Sequence, residues 1–265
     1  MGLFDTKYCA VCNNKKGLFG YKLKDGSHLC RKCGKKFAYD DFVLGVTYHR
    51  HRELSDITMQ QYEHLVGLRE ENLQELAEFD ATKTFCGFIQ IDEHAQEITF
   101  LEKVFFEDMK DRQKYNPPVF KFEKLAFVRI ITTEPETSTT VTGGAKAESK
   151  VRLLLGFVDP VYDIICLDIG KITSKTGMFG GIKTKMSPEI EKLTEVIDSM
   201  VSFEIDWSLE HDMLTPASDM DAYWRMAKRA KDLGYLQSED IKDILQSYCG
   251  KDRAKIREIK KTYGL

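Results

Sequence analysis

Cys9-Ala-Val-Cys12 and Cys30-Arg-Lys-Cys33, with seventeen residues between them, decide how the first part of this chain folds. Two cysteines two residues apart share one turn and can aim both sulfurs at one ion. Two such knuckles a hairpin's length apart supply four thiolates, a tetrahedral set that saturates a zinc ion. The spacing therefore predicts a zinc ribbon with structural Zn2+ held by Cys9, Cys12, Cys30 and Cys33. Two disulfides are the alternative, and they require an oxidising compartment. Between the knuckles, Tyr21, Leu23 and Leu29 alternate around Lys24-Asp25-Gly26, a hairpin signal. Gly34, just past the second knuckle, is expected to take a positive φ. So small a unit has almost no apolar core, and the ion is expected to supply most of its folding free energy, about 10–16 kcal/mol in isolated zinc modules.

Beyond the ribbon the sequence describes an architecture rather than a chemistry. Seven cysteines include three strays, Cys86, Cys166 and Cys249, each set among apolar neighbours. An odd count of this kind predicts reduced thiols and a cytoplasmic location. No apolar run reaches the roughly eighteen residues needed to span a bilayer. The net charge of −3 conceals basic ends and an acidic centre: residues 1–52 carry +7, residues 53–218 carry −13 and residues 219–265 carry +3. A basic ribbon is suited to nucleic acid, with Lys15, Lys16, Lys22, Arg31, Lys32, Lys35 and Lys36 as phosphate contacts, or to docking on the acidic centre of the same chain.

Residues 55–80 have helical periodicity through Leu65, Leu68, Leu76 and Phe79, with Ser55 and Asp56 suited to the start. From 84 to 168 short apolar runs succeed one another: 84–91 with 97–101, then 119–125 with 127–133, then 150–157 with 162–168. Residues 134–150, rich in Thr, Ser, Glu and Gly, predict a surface loop. This succession predicts an antiparallel barrel or sandwich. Ser187-Pro-Glu opens a helix expected to close that barrel, with Ile190, Leu193, Ile197, Met200 and Val201 as its apolar stripe. The tail predicts helices from Ser218 to Gly234, from Ser238 to Gly250, and from Asp252 onward, each too short to stand alone. The expected division is 1–52 zinc ribbon, 53–82 connector helix, 83–205 α+β domain and 206–265 helical tail.

This order of parts is similar to known bacterial families. The ribbon Cys9…Cys33, with Leu23-Lys-Asp-Gly26 before the second knuckle, resembles an uncharacterised zinc-ribbon domain of bacterial N-termini. The charged helix carrying Arg69-Glu-Glu-Asn72 follows as it does in such proteins. Phe85 to about Phe203, with Phe120–Glu123 and Gly143-Gly144, resembles bacterial pleckstrin-homology-like domains. Ala230-Lys-Asp-Leu-Gly-Tyr-Leu-Gln-Ser-Glu-Asp-Ile241 resembles a short C-terminal oligomerisation (SHOCT-like) module. The resemblance implies binding and assembly rather than catalysis, with a protein partner for the middle domain and tail and a homo-oligomer through the tail.

No catalytic constellation is evident. Gly143-Gly-Ala-Lys146 lacks phosphate-loop spacing, and there is no Gly-x-Ser-x-Gly. His49 and His51 offer a second metal pair but sit in a basic run. His28 lies beside a thiolate set that is already complete, so it is expected outside the coordination sphere. Cys86 and Cys166, read as strand cysteines, are expected to be inert. The Lys- and Gly-rich stretch 170–185, read as a loop with Met178 and Phe179 at its tip, suggests peripheral binding to an anionic membrane through Lys171–Lys185. The sequence thus predicts a non-enzymatic, zinc-binding cytoplasmic scaffold, with nucleic-acid or membrane binding as alternatives.

Overall fold

The structure, a computed structural model, describes residues 7–37, 42–43, 45–50, 52–101, 116–133, 136–139, 145–176, 182–185, 188, 192–193 and 217–265. The ribbon hairpin is formed by β1 (Tyr21–Lys22) and β2 (His28–Leu29), with Gly26 at φ +88° in the turn as the sequence predicts. A single helical turn, α1 (Arg31–Gly34), carries the second knuckle. Gly34 is helical and not left-handed, contrary to expectation. A Cβ there would sit 2.2 Å from the Tyr21 ring, so glycine is required by packing rather than by φ.

Strands β3 (Phe42–Val43) and β4 (Val46–Arg50) leave the ribbon. β4 pairs antiparallel with β12 (Tyr162–Thr176), so a division at residue 52 cuts through the large sheet. A short 3-10 turn, Leu54–Asp56, precedes α2 (Met59–Glu78). The helix begins at Thr58 rather than at Ser55 or Asp56. Thr58 and Gln61 form a reciprocal capping box that satisfies the first free amides.

A four-stranded sheet follows in the order β5 (Lys83–Phe85), β6 (Ile89–Asp92), β7 (Glu97–Phe100) and β8 (Val119–Lys121). The expected 119–125 with 127–133 hairpin does not form, because β8 pairs with β7 while β9 (Leu125–Thr132) joins β11 (Ala145–Phe157) in the other sheet. The free edge of β8 is occupied by α2: Asn72 donates to the Val119 carbonyl at 2.8 Å and accepts from its amide at 3.1 Å.

The large sheet is built on the long β11–β12 hairpin. β9 and then β10 (Glu136–Thr139) line the outer edge of β11, while β4 and then β13 (Ile182–Lys185) line the outer edge of β12. Two expected loops are therefore largely strand. Residues 136–139 pair with 145–148, and 173–176 pair with 182–185. The class is α+β with antiparallel sheets, as read from the sequence, but the sheets stay open among the described residues and no barrel closes. Of the predicted closing helix, only 188 and 192–193 are described, and the rest lies outside the described residues.

Alternation along β11 and β12 explains why their inner halves read as unbroken apolar runs. Leu153, Leu155, Ile165 and Leu167 enter one core, shared with Phe100 and Phe120 of the small sheet and Phe88 of the turn between β5 and β6, with Tyr62 and Leu65 of α2, and with Leu23, Leu29 and Phe37 of the ribbon. Leu154, Ile164 and Cys166 enter a second core under the tail. Both faces are covered, so both parities are hydrophobic.

The tail helices are α3 (Ala217–Asp232), α4 (Ser238–Cys249) and α5 (Arg253–Tyr263). Ser218 lies inside α3 instead of capping it. Gly234 at φ +79° and Asp252 as the cap of α5 follow expectation. Trp224, Ala227 and Ala230 of α3 press on the sheet, and Gly156 allows that approach, since a Cβ there would lie 2.9–3.0 Å from Phe127 and Met226. Arg229 fixes the contact by donating to Asp163 at 2.8 Å and to the Arg50 carbonyl at 3.1 Å.

Candidate metal centre

The two knuckles are shaped by local turns. The Cys9 amide donates to the Asn14 carbonyl and the Asn13 amide to the Cys9 carbonyl, with Asn13 at φ +55°. The Ala10 amide donates to the His28 carbonyl, which ties the first knuckle to β2. At the second knuckle, the Cys33 amide points at the Cys30 Sγ at 3.5 Å. The result brings together all four predicted ligands: the sulfurs of Cys9, Cys12, Cys30 and Cys33 lie within 4.8 Å of one another, and those of Cys12 and Cys30 are 3.6 Å apart. A tetrahedron with zinc–sulfur bonds of about 2.3 Å has sulfur–sulfur edges of about 3.8 Å. All seven cysteines are free thiols, so the disulfide alternative is not realised, and the donor set fits zinc.

The electrostatics show what the ion would relieve. Burial works against a charge on Cys9, but donors converge on it, from the Cys30, Cys12 and Val11 amides, and bring its thiol down to about 6. Cys33 moves upward, first through burial and then through the neighbouring sulfurs. One negative sulfur is accommodated and its neighbours resist a second. A divalent cation removes that conflict and permits four thiolates.

The cluster is stitched to the rest of the chain. The Tyr62 hydroxyl of α2 donates to the Cys33 carbonyl at 2.7 Å, and Tyr62 is buried. The Lys24 amide donates to the Ile57 carbonyl at 2.9 Å. Asp25 accepts from the Met59 amide at 2.7 Å and the Ser27 amide at 2.9 Å, and these donors, Met59 foremost, hold its carboxyl below the usual range. The hairpin turn thus helps to open α2 as well as closing its own hairpin. Nothing in the local sequence pattern distinguished Tyr62 or this second role of Asp25.

Other predicted residues fall elsewhere. His28 is no ligand. Burial, then Lys7 and Lys16, holds its imidazole below the ordinary value, and its Nδ1 is buried without a partner among the described residues. His49 is 2.8 Å from the Tyr235 hydroxyl, so it fastens the tail; His51 lies outside the described residues. Cys86 is not a strand residue. It occupies a turn at φ +52° and donates to the Ile169 carbonyl at 3.5 Å. Cys166 is buried in β12, and burial pushes its thiol up to about 11. Met178 and Phe179 lie outside the described residues, while Lys171, Lys175, Lys183 and Lys185 stand on paired strands.

The ribbon surface has two further properties. Residues 7–37 hold nine Lys and Arg against Asp25 alone, and none of the nine pairs with a carboxylate of another described residue. Leu18 and Phe19, at a turn, are 96% and 75% exposed, and Tyr8 and Val11 are exposed with them. A separate groove of 280 Å3 runs between α2 and β8, with Leu68, Pro118, Val119 and Tyr162 in its walls and exposed Val158 among its lining residues.

Residues 7–61 match the family model of a domain of unknown function (DUF4428). The matched span takes in the ribbon, β3, β4 and the first turn of α2, including the Asp25–Met59 link. No curated protein and no solved structure matches the chain. Among the described residues, no helix is long and apolar enough to cross a membrane.

Proposed function

We propose that this is a non-enzymatic, zinc-ordered interaction protein of the cytoplasm, in which the ion shapes a docking surface and takes no part in chemistry. The observation that carries the reading is the convergence of four sulfurs on one point. Four thiolates fill a tetrahedral shell and leave no position for an activated water. The high thiol pKa of Cys166 and the hydrogen-bonded turn position of Cys86 weigh against nucleophilic roles for the remaining cysteines.

A protein partner is supported by the exposed Leu18 and Phe19 on the ribbon and by the groove beside α2. The resemblance of 83–205 to pleckstrin-homology-like domains and of the tail to an oligomerisation module points the same way. The apolar faces of α3 and α4 are already buried in the second core, α3 against the chain's own sheet, so self-assembly would use their outer faces. The test is affinity capture from the native cell with the reduced, zinc-loaded chain, set beside Leu18→Asp/Phe19→Asp and Val158→Asp. Loss of a partner in one variant, with zinc content unchanged, supports the reading. Turnover of a substrate, or capture indifferent to all three changes, overturns it.

A second reading, nucleic-acid binding by the ribbon, draws support from its nine cations and single carboxylate. It predicts that Lys15→Gln/Lys16→Gln/Lys22→Gln weakens binding and flattens its salt dependence.

A further inference from the structure

The outer half of the large sheet sorts its charges by face. Cross-strand partners share a face, as do residues two apart on one strand. The register sets Lys146 opposite Lys175, Lys175 opposite Lys183, and Lys150 opposite Lys171. Lys185 lies two residues from Lys183. All six lysines of the four strand segments 136–139, 145–150, 171–176 and 182–185 therefore occupy one face, with Glu136 and Glu148 as its only acids. Lys171 pairs with Glu148 at 3.2 Å. The opposite face holds Thr137, Thr139, Ala145, Ala147, Ser149, Ile172, Ser174, Thr176, Ile182 and Thr184, with no charge at all.

The row Lys146, Lys175, Lys183 puts three like charges on three adjacent strands spaced about 4.8 Å apart. Like charges at directly opposite register positions destabilise a sheet. A closely charged polyanion would offset that cost. Duplex nucleic acid carries about one negative charge per 1.7 Å of axis, a density that an anionic leaflet diluted with neutral lipid does not offer. The twenty residues of the segments include no Arg, Asn, Gln or aromatic side chain. Lysine binds phosphate as a point charge, and the array lacks the planar Arg, Asn and Gln groups that make bidentate contacts to base edges and the rings that stack on unpaired bases. We infer that this lysine face binds the phosphate backbone of double-stranded nucleic acid without regard to sequence. It does so independently of the ribbon and of the protein-partner reading.

The experiment titrates a labelled DNA duplex with the zinc-loaded full chain across a salt series. The same titration is run with a single strand of equal length and with vesicles containing anionic lipid. Lys146→Gln/Lys175→Gln/Lys183→Gln should weaken duplex binding roughly ten-fold or more and reduce the magnitude of the log–log salt slope by about 2.7, at 0.9 per lost contact. Its melting temperature should hold or rise, because a repulsive row has been removed. The edge-strand variant Lys183→Gln/Lys185→Gln should show a smaller effect of the same kind, and Thr184→Gln on the uncharged face none. The inference is overturned by unchanged duplex affinity in the triple variant, by tighter binding of the single strand, or by capture of vesicles in place of the duplex. It also fails if only the ribbon variant at Lys15, Lys16 and Lys22 loses binding, an outcome that leaves the ribbon reading standing.

Discussion

The ribbon contributes only Leu23, Leu29 and Phe37 to the core it shares with the large sheet, whereas that sheet buries Leu153, Leu155, Ile165 and Leu167 in that core and Leu154, Ile164 and Cys166 in a second one. Each fully buried aliphatic side chain contributes about 1.5–3 kcal/mol. A sheet apolar on both parities therefore holds itself, while three side chains cannot order the thirty-one residues from 7 to 37 against their conformational entropy. The comparison teaches where the ion matters. Under the proposed reading an ion held by the four sulfurs would order the ribbon, and through Tyr62, Lys24 and Asp25 would steady the first turns of α2, whereas the two-sided sheet beyond has buried cores of its own.

The strongest way to break that comparison is Cys30→Ser. Zinc content should fall to background, with the loss on the scale of about 10–16 kcal/mol of apparent binding free energy. Amide exchange should accelerate across 7–37 while 153–157 and 164–167 stay protected. Equal loss in both regions would mean that the sheet also depends on the ion. The reciprocal change, Trp224→Ala, should cost about 3–5 kcal/mol by emptying the contact between tail and sheet. Denaturation should register that cost, and the zinc content should not change.

Gly34→Ala sharpens the boundary from the ribbon side. The new methyl meets the Tyr21 ring, so a penalty of about 1–3 kcal/mol is expected. It should appear as weaker zinc retention in a chelator competition, with little change in the melting of the sheet. Asp92 tests the body in the same range. It accepts from the His94 amide at 2.9 Å, the Ala95 amide at 3.0 Å and the Asp80 amide at 3.2 Å. The Ala95 amide, followed by those of Asp80 and His94, holds its carboxyl below the usual range. Its stabilisation is therefore complete above the ordinary aspartate value of about 3.9 and is lost as pH falls through the lower folded value. Asp92→Asn should cost about 1–3 kcal/mol at neutral pH and remove that part of the acid limb from a stability–pH curve.

Some of this was legible in the residues. The cysteine spacing led to the metal centre because ligand geometry is local and two residues fix each knuckle. The tail helices were legible because Gly234, Gly250 and Asp252 punctuate them. The β11–β12 hairpin was legible only in its inner half, where burial writes an apolar pattern. In its outer half the alternation sets Lys and Glu against Ala, Ser and Thr, which a hydrophobicity reading takes for a loop. The start of α2 was misplaced because Ser55 and Asp56 are plausible caps in isolation, and a 3-10 turn consumes them. The pairing of β4 with β12 joins residues more than a hundred positions apart, which no local pattern reports. Tyr62 carried no signal in the sequence because its hydrogen bond to the Cys33 carbonyl exists only once both elements are packed.

The most direct measurement is X-ray absorption at the zinc edge on the reduced protein. The account predicts a single zinc per chain surrounded by four sulfur scatterers at about 2.3 Å and no nitrogen or oxygen in the inner shell. A shell containing nitrogen or oxygen, or metal-free protein with sulfur–sulfur bonds of about 2.0 Å among these cysteines, would contradict it.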